Sequence, residues 1–374
     1  MTDYRDEVPA YLTIRVTPQE GPIAAFAEQE AWEATKRYPE LMGVASPEFF
    51  YARELDTGGW ELLSCGTDTP QGSRDSLGSH FRMQAKDAKD AGDEKAHRTW
   101  MAAALRMDRE VVNDVRVRGE HFRVVRASRF IRMGAGGPEP PRPSDPDTAE
   151  VGEAYRLGPE TEGLVIDPYT GTGLSTGLLK LDLFQFVGVV PGAPPEVGAE
   201  ARRARVTHPG GVLLPAVFMI SLRQNGKWGP FNPGLGSSTP QGARDSLASW
   251  LRVMGPFTLQ LDEDRRAEYA ALADRLDESR SNVTTIDGVR HRVTRVERLI
   301  RVGPDGPEGP RPSDWDPEPP IDIHVRQLKE QGLWDEDYDS KPIQLDERTM
   351  ELKRLMDAEE ERRRRKRGLP EPGK

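Results

Sequence analysis

A single cysteine in 374 residues, Cys65, excludes an internal disulfide and any zinc site built on several thiolates. Histidine is nearly as scarce. The six present include no His-x3-His pair, so no metal motif is in view and no cofactor is expected. No run approaches the roughly 18 apolar residues of a membrane helix. Met1 to Pro9 hold three acids and no apolar run, so no secretory signal is expected. Net positive charge is lacking too. The chain carries −10, and Arg362 to Arg367 supply six of its cations, so the rest carries −16. Such an acidic body repels phosphate backbones, which argues against nucleic acid as a main partner. A cytoplasmic protein is the expectation, and the excess of Arg over Lys fits a GC-rich bacterial genome. Thirty-six glycines and 32 prolines promise many loops and short regular elements.

What the sequence does have is repetition. Thr69-Pro70-Gln71-Gly72-Ser73-Arg74-Asp75-Ser76-Leu77 returns 170 residues later as Thr239-Pro240-Gln241-Gly242-Ala243-Arg244-Asp245-Ser246-Leu247. Pro138-Glu139-Pro140-Pro141-Arg142-Pro143-Ser144-Asp145 returns 169 residues later as Pro307-Glu308-Gly309-Pro310-Arg311-Pro312-Ser313-Asp314. A near-constant offset over two blocks implies tandem duplication. Two units are expected, 10–147 and 180–316, joined by a Gly/Thr-rich connector, 148–179. An acidic extended segment and a charged helix follow over 317–374.

Each unit reads β-α-β-β-α-α-β-β, an α+β class with mostly antiparallel sheet. Tyr11–Val16 and Leu181–Phe186 read as first strands. Helices end at Tyr38-Pro39 and His208-Pro209. Thr before Pro marks a capped helix start in each repeated block. Next comes a helix with a buried stripe: Trp100, Ala103, Ala104 and Met107, against Tyr269, Leu272, Ala273 and Leu276. Hairpins turn at Gly119 and Gly288. Arg129–Arg132 and Arg298–Arg301 read as short helical turns.

The repeated helix starts are candidate anion sites. Free N–H groups there favour negative charge, Thr69, Gly72 and Arg74 could hold it, and Thr239, Gly242 and Arg244 repeat the set. The simpler reading is structural: Thr caps, Pro preorganises and Gly makes room. Arg74 lies beside the apolar stripe of Leu77 and Phe81, so it needs a buried partner. Bridges from Arg74 to Asp145 and from Arg244 to Asp314 are expected. Arg123 and Arg126 lie on opposite faces of their strand, so they form no basic stripe. Gly171-x-Gly173-x3-Gly177 departs from the dinucleotide spacing, and Leu178–Phe186 after it reads as a strand. Ser76 and Ser246 recur without a matching histidine, and His121 aligns with Arg290. Cys65 reads as a lone buried thiol. The six-cation tail follows Glu359, Glu360 and Glu361 at i,i+4 spacing and reads as a solvated helix end.

The paired blocks, with Arg-Phe-Ile-Arg or Arg-Leu-Ile-Arg before the second, resemble an uncharacterised actinobacterial domain-of-unknown-function family over roughly residues 10–316. That resemblance implies a bacterial cytosolic protein and no particular chemistry. The leading expectation is a non-catalytic interaction or scaffold protein with a protein partner. The alternative is a binder of a small anionic ligand at the paired helix starts, with hydrolase or transferase activity as its extension.

Overall fold

A computed structural model describes all residues except 1–7, 45, 154–160, 188–192, 232–233, 235, 335–345 and 367–374. After a 3-10 turn at Ala10–Leu12, the first half runs α1 (Pro22–Arg37), β1 (Glu40–Gly43), β2 (Glu48–Glu54), β3 (Trp60–Leu62), α2 (Pro70–Asp90), α3 (Glu94–Arg109), β4 (Asp114–Val117), β5 (Glu120–Gly134) and β6 (Gly137–Pro138). β7 (Val165–Ile166) and α4 (Leu174–Gln185) follow. The second half runs α5 (Pro195–Thr207), β8 (Gly210–Gln224), β9 (Lys227–Pro230), α6 (Pro240–Ser249), α7 (Gly255–Leu259), α8 (Glu263–Ser279), β10 (Val283–Ile286), β11 (Val289–Gly303) and β12 (Gly306–Pro307). α9 (Ile321–Glu330) and α10 (Glu347–Lys366) close the described chain.

The α+β class holds. One 12-stranded sheet runs β7-β3-β2-β5-β11-β8-β9, with β1, β4 and β6 also on β5, and β10 and β12 also on β11. All of its named strand pairs are antiparallel. The halves join where β5 meets β11. Arg129 stands opposite Arg298, and these two positions are themselves 169 residues apart. A local twofold axis therefore passes between them.

Each half packs its helices on the sheet through its own core. Leu77, Phe81, Trp100, Ala104 and Met107 meet Phe122 in one. Leu247, Leu251, Tyr269, Ala273 and Leu276 meet Val293 in the other. The expected stripes at Trp100 and Tyr269 are therefore the buried faces, because residues three and four apart share a helix side.

Four local expectations are corrected. Tyr11–Val16 forms no strand beyond a single parallel bridge from Val16 to Thr172. Leu181–Phe186 belongs mostly to helix α4, whose Leu179 and Leu183, four apart, are buried. A short apolar run fits either period, and here the helical one wins. Arg129–Arg132 and Arg298–Arg301 are strand, in the second half of two 15-residue strands that are paired there on both sides. The segment after residue 316 is not wholly extended, since 321–330 is helical.

Candidate functional site

The repeated residues converge, but between halves rather than within them. Thr69 and Thr239 accept from the N–H groups of Gly72 and Gly242 at 3.0 and 3.1 Å, as helix caps. The N–H of Gln71 donates to Asp316 at 2.8 Å, and that of Gln241 to Asp147, also at 2.8 Å. Arg74 also pairs with Asp316, while Arg244 reaches Asp147 at 2.5 Å. The helix-start donors are thus held by the protein's own carboxylates. A carboxylate at a helix N-terminus satisfies an orphan N–H and the dipole together.

The expected bridges from Arg74 to Asp145 and from Arg244 to Asp314 are not the ones formed. Asp145 pairs with Arg295, and Asp314 with Arg126, again across the halves. Each strap leaves its own hairpin and runs over the opposite half. Backbone bonds fix the crossing: Arg126 N–H donates to Glu308 O at 2.8 Å, and Arg295 N–H to Glu139 O at 2.9 Å. Gly137 and Gly306, at φ 106° and 105°, make the turn. A side chain there would strike the indoles of Trp228 and Trp60, so the turn needs glycine.

Two further pairs complete this latch. Asn113 and Asn282 accept from Arg74 and Arg244 at 2.9 and 2.7 Å. Gln71 and Gln241 accept from the same two arginines at 2.9 and 3.1 Å. Asp147 and Asp316 lie two residues beyond the repeated block and share its 169-residue offset, which was the available signal. Ser76 and Ser246 donate to the carbonyls of Gly72 and Gly242, a local helix bond without a base. Gly173 starts α4, where the Glu28 carboxylate accepts from Ser175 N–H at 2.8 Å. That loop too is filled from within. Cys65 is exposed, not buried.

The charged tail is docked at its start. Glu359 is buried, accepts from Arg362 and Arg363, and faces Arg252 at 3.7 Å. Arg362 and Lys366 approach Asp277 at 3.5 and 3.8 Å. Arg365 makes the expected i,i+4 pair with Glu361. Arg367 lies outside the described residues.

Asymmetry marks a different place. A cleft of about 610 Å³ opens at the outer end of the first half, between Tyr11, Trp60, Tyr169 and the turn at Asp305. On its wall, His121 contacts Glu54 through Nδ1 at 2.7 Å and Asp114 through Nε2 at 2.6 Å. Both ring nitrogens face carboxylates, so neither is left to take a proton from a substrate. Burial raises the Asp114 carboxyl, but the bonds from His121 and Arg123 outweigh it and hold the group below its usual range. Arg123 lies over Trp60 at 5.0 Å and donates to Asp114 and to the Asp305 carbonyl. Strand register places Arg223, Arg290 and Val283 in the second half where Glu54, His121 and Asp114 stand in the first. The Trp228–Arg292 stack persists there at 5.0 Å. The scaffold is kept in both halves, and the acid–imidazole–acid set in one. Sequence reading passed over this set because it was sought among repeated residues.

Residues 21–317 match the model of a family described as a family of unknown function (DUF5954). The chain belongs to that family. The matched span takes in both latches and ends one residue past Asp316, so the exchanged straps lie within the DUF5954 region. No curated protein and no solved structure matches the chain. Among the described residues, no three His, Cys, Asp or Glu side chains are grouped to hold a metal ion, and no helix is long and apolar enough to cross a membrane.

Proposed function

We propose that this protein is a non-catalytic interaction protein that binds a cationic segment of a protein partner in the cleft at Tyr11, Trp60 and Tyr169. Its halves, 10–147 and 180–316, descend on this reading from one duplicated unit. One observation carries the proposal: the chemistry confined to a single half lies on the cleft, whereas the repeated residues are spent on the latch.

The cleft's charges favour a cation. Arg123 is committed to Asp114 and two carbonyls, and Arg116 stands 3.8 Å from Glu54. Asp305 is largely exposed, and Tyr169 presents an exposed ring on the same rim. Carboxylates beside aromatic faces suit a lysine or arginine side chain. The net charge of −10 steers such partners inward. The anionic-ligand reading relied on N–H groups and arginines now engaged by Asp316 and Asp147.

Calorimetric titration with pentalysine, pentaarginine and pentaglutamate tests the proposal. The basic peptides should bind, weaken with salt, and lose at least tenfold affinity in Asp167→Asn/Asp305→Asn, which neutralises two carboxylates that line the cleft. Equal binding to that double variant, or binding of pentaglutamate alone, refutes it.

A further inference from the structure

The local twofold supplies an internal comparison, and the two sides of it do not balance. On one face of the β5–β11 seam, each half gathers three arginines under a strap. Around Glu297 these are Arg132, Arg142 and Arg295, with Glu139 and Asp145 as the other acids. The equivalent arginines are Arg301, Arg311 and Arg126, with Glu308 and Asp314. The position equivalent to Glu297 is Ser128. Three cations thus face three anions on one side and two on the other.

The missing charge coincides with a space. A partly open cavity of about 80 Å³ is lined by Arg126, Ser128, Arg301 and Arg311, with Phe130 and Phe186 among its apolar walls. At roughly 30 Å³ per water, that is room for two or three waters or one small anion. Arg301 is 3% exposed. Among the described residues it donates only to carbonyls, those of Leu183 and Phe184 at 3.0 and 3.3 Å and those of His208 and Phe186 at 3.4 Å. Ser128 Oγ accepts from Arg126 at 2.7 Å, and its own proton has no acceptor among the described residues. Burial pushes the Arg301 guanidinium down to about 10, so it remains charged at neutral pH, and no carboxylate among the described residues is in contact with it. Buried charges are ordinarily paired.

We infer that this cavity binds one small monovalent anion, a halide or a short carboxylate, between Arg301, Arg126, Arg311 and the Ser128 hydroxyl. The bound ion takes the place that the Glu297 carboxylate fills by covalent attachment on the other side. The site is separate from the cleft and from the helix starts, and it stands whether or not the cleft binds a cation.

Melting temperature is measured at fixed ionic strength in sodium gluconate, chloride or acetate, gluconate being too bulky for the cavity. Chloride or acetate should raise it by about 2–4 °C per tenfold increase once above the dissociation constant. A response to chloride alone assigns a halide, and one to acetate a carboxylate. Ser128→Glu should melt higher in gluconate and lose the response. Glu297→Ser should gain a second one. Identical curves for the wild type in all three salts overturn the inference. So does a Ser128→Glu protein that folds and keeps the full response. Should Ser128→Glu not fold, Arg301→Leu takes its place and must abolish the response.

Discussion

Replacing Asp316 by alanine should destabilise the first half, although Asp316 lies beyond the second. The substitution leaves Arg74, 1% exposed, with only Gln71 and Asn113, and it frees the N–H of Gln71. Removing one member of a buried ion pair costs about 3–5 kcal/mol. The Asp316 side chain is 25% exposed, so the lower end applies, about 3 kcal/mol. At about 2 °C per kcal/mol for a chain of this size, melting should fall by about 6 °C. Arg74→Ala should cost a similar amount. The decisive quantity is the coupling in a double-mutant cycle. Arg74→Ala with Asp316→Ala should be non-additive by about 2–3 kcal/mol, because the second change removes a partner already lost. Arg74→Ala with Asp145→Ala should add within about 0.5 kcal/mol, since Asp145 is bonded to Arg142 and Arg295 and shares no partner with Arg74. Urea unfolding of the wild type, the three single variants and the two double variants gives both numbers. Coupling of Arg74 to Asp145 in place of Asp316 would show that each strap stays on its own half, and the exchanged latch would be wrong.

Other outcomes follow from the same contacts. Gly306→Ala forces a side chain onto the Trp60 indole at a positive φ, and it should lower melting and increase hydrogen exchange in β5 and at the start of α2. Phe81→Ala, at a fully buried position among Trp100 and Phe122, should cost about 3–5 kcal/mol in urea unfolding. Acidification should act in two steps. Burial lowers His80, His208 and His291, so the unfolded chain takes up protons that the folded chain refuses, and stability falls as pH drops below about 6.5. His291→Phe, which copies Phe122 at the equivalent position, should flatten that limb. The second step concerns Glu297 and Glu308. Burial raises both, but the surrounding arginines outweigh it and hold each carboxyl below the usual range. Their contribution is intact above about pH 4.5 and is lost as pH falls through the depressed values. Glu297→Gln should be less stable at pH 7 and show a shallower acid limb below pH 4.5.

Local chemistry was legible wherever one residue type dictates one geometry. Thr69 and Thr239 cap, Gly119 and Gly288 turn hairpins, and Trp100 and Tyr269 face inward, each fixed by neighbours a few residues away. Leu181–Phe186 was misread because alternation and helical spacing overlap in a short apolar run. Arg129 and Arg298 were misread for a different reason. Arginines three apart suggest a helical turn only while the strands beside them are unknown. Once β5 and β11 pair, the same residues alternate between sheet faces. Arg74, Asp145, Arg244 and Asp314 each form an ion pair, but none with the expected partner: Arg74 and Arg244 take Asp316 and Asp147, and Asp145 and Asp314 take Arg295 and Arg126. A sequence shows that Arg74 needs a buried carboxylate, but not which of two equivalent straps delivers it. That choice is made by the hairpin exit at Gly137 and Gly306, whose φ near +105° directs each strap across the axis.

Exchange of equivalent straps changes what repetition means for function. In a pair of independent units, a residue kept twice points to a chemistry done twice. Here loss of Asp316 or Asp147 would leave a buried guanidinium in the opposite half, Arg74 or Arg244, without its carboxylate. The repeated blocks are therefore tied to each other, and binding chemistry has to arise where the symmetry breaks. Two breaks stand out. Glu54, His121 and Asp114 face Arg223, Arg290 and Val283 in the comparison of the halves, and Ser128 faces Glu297. The first alters the wall of an open cleft, and the second removes one carboxylate from a buried cluster of arginines. The first break lies apart from the latch, whereas Glu297 and Ser128 each contact a strap-bound arginine, Arg295 and Arg126, so the second changes the charge under the straps and leaves the Arg74–Asp316 and Arg244–Asp147 pairs in place.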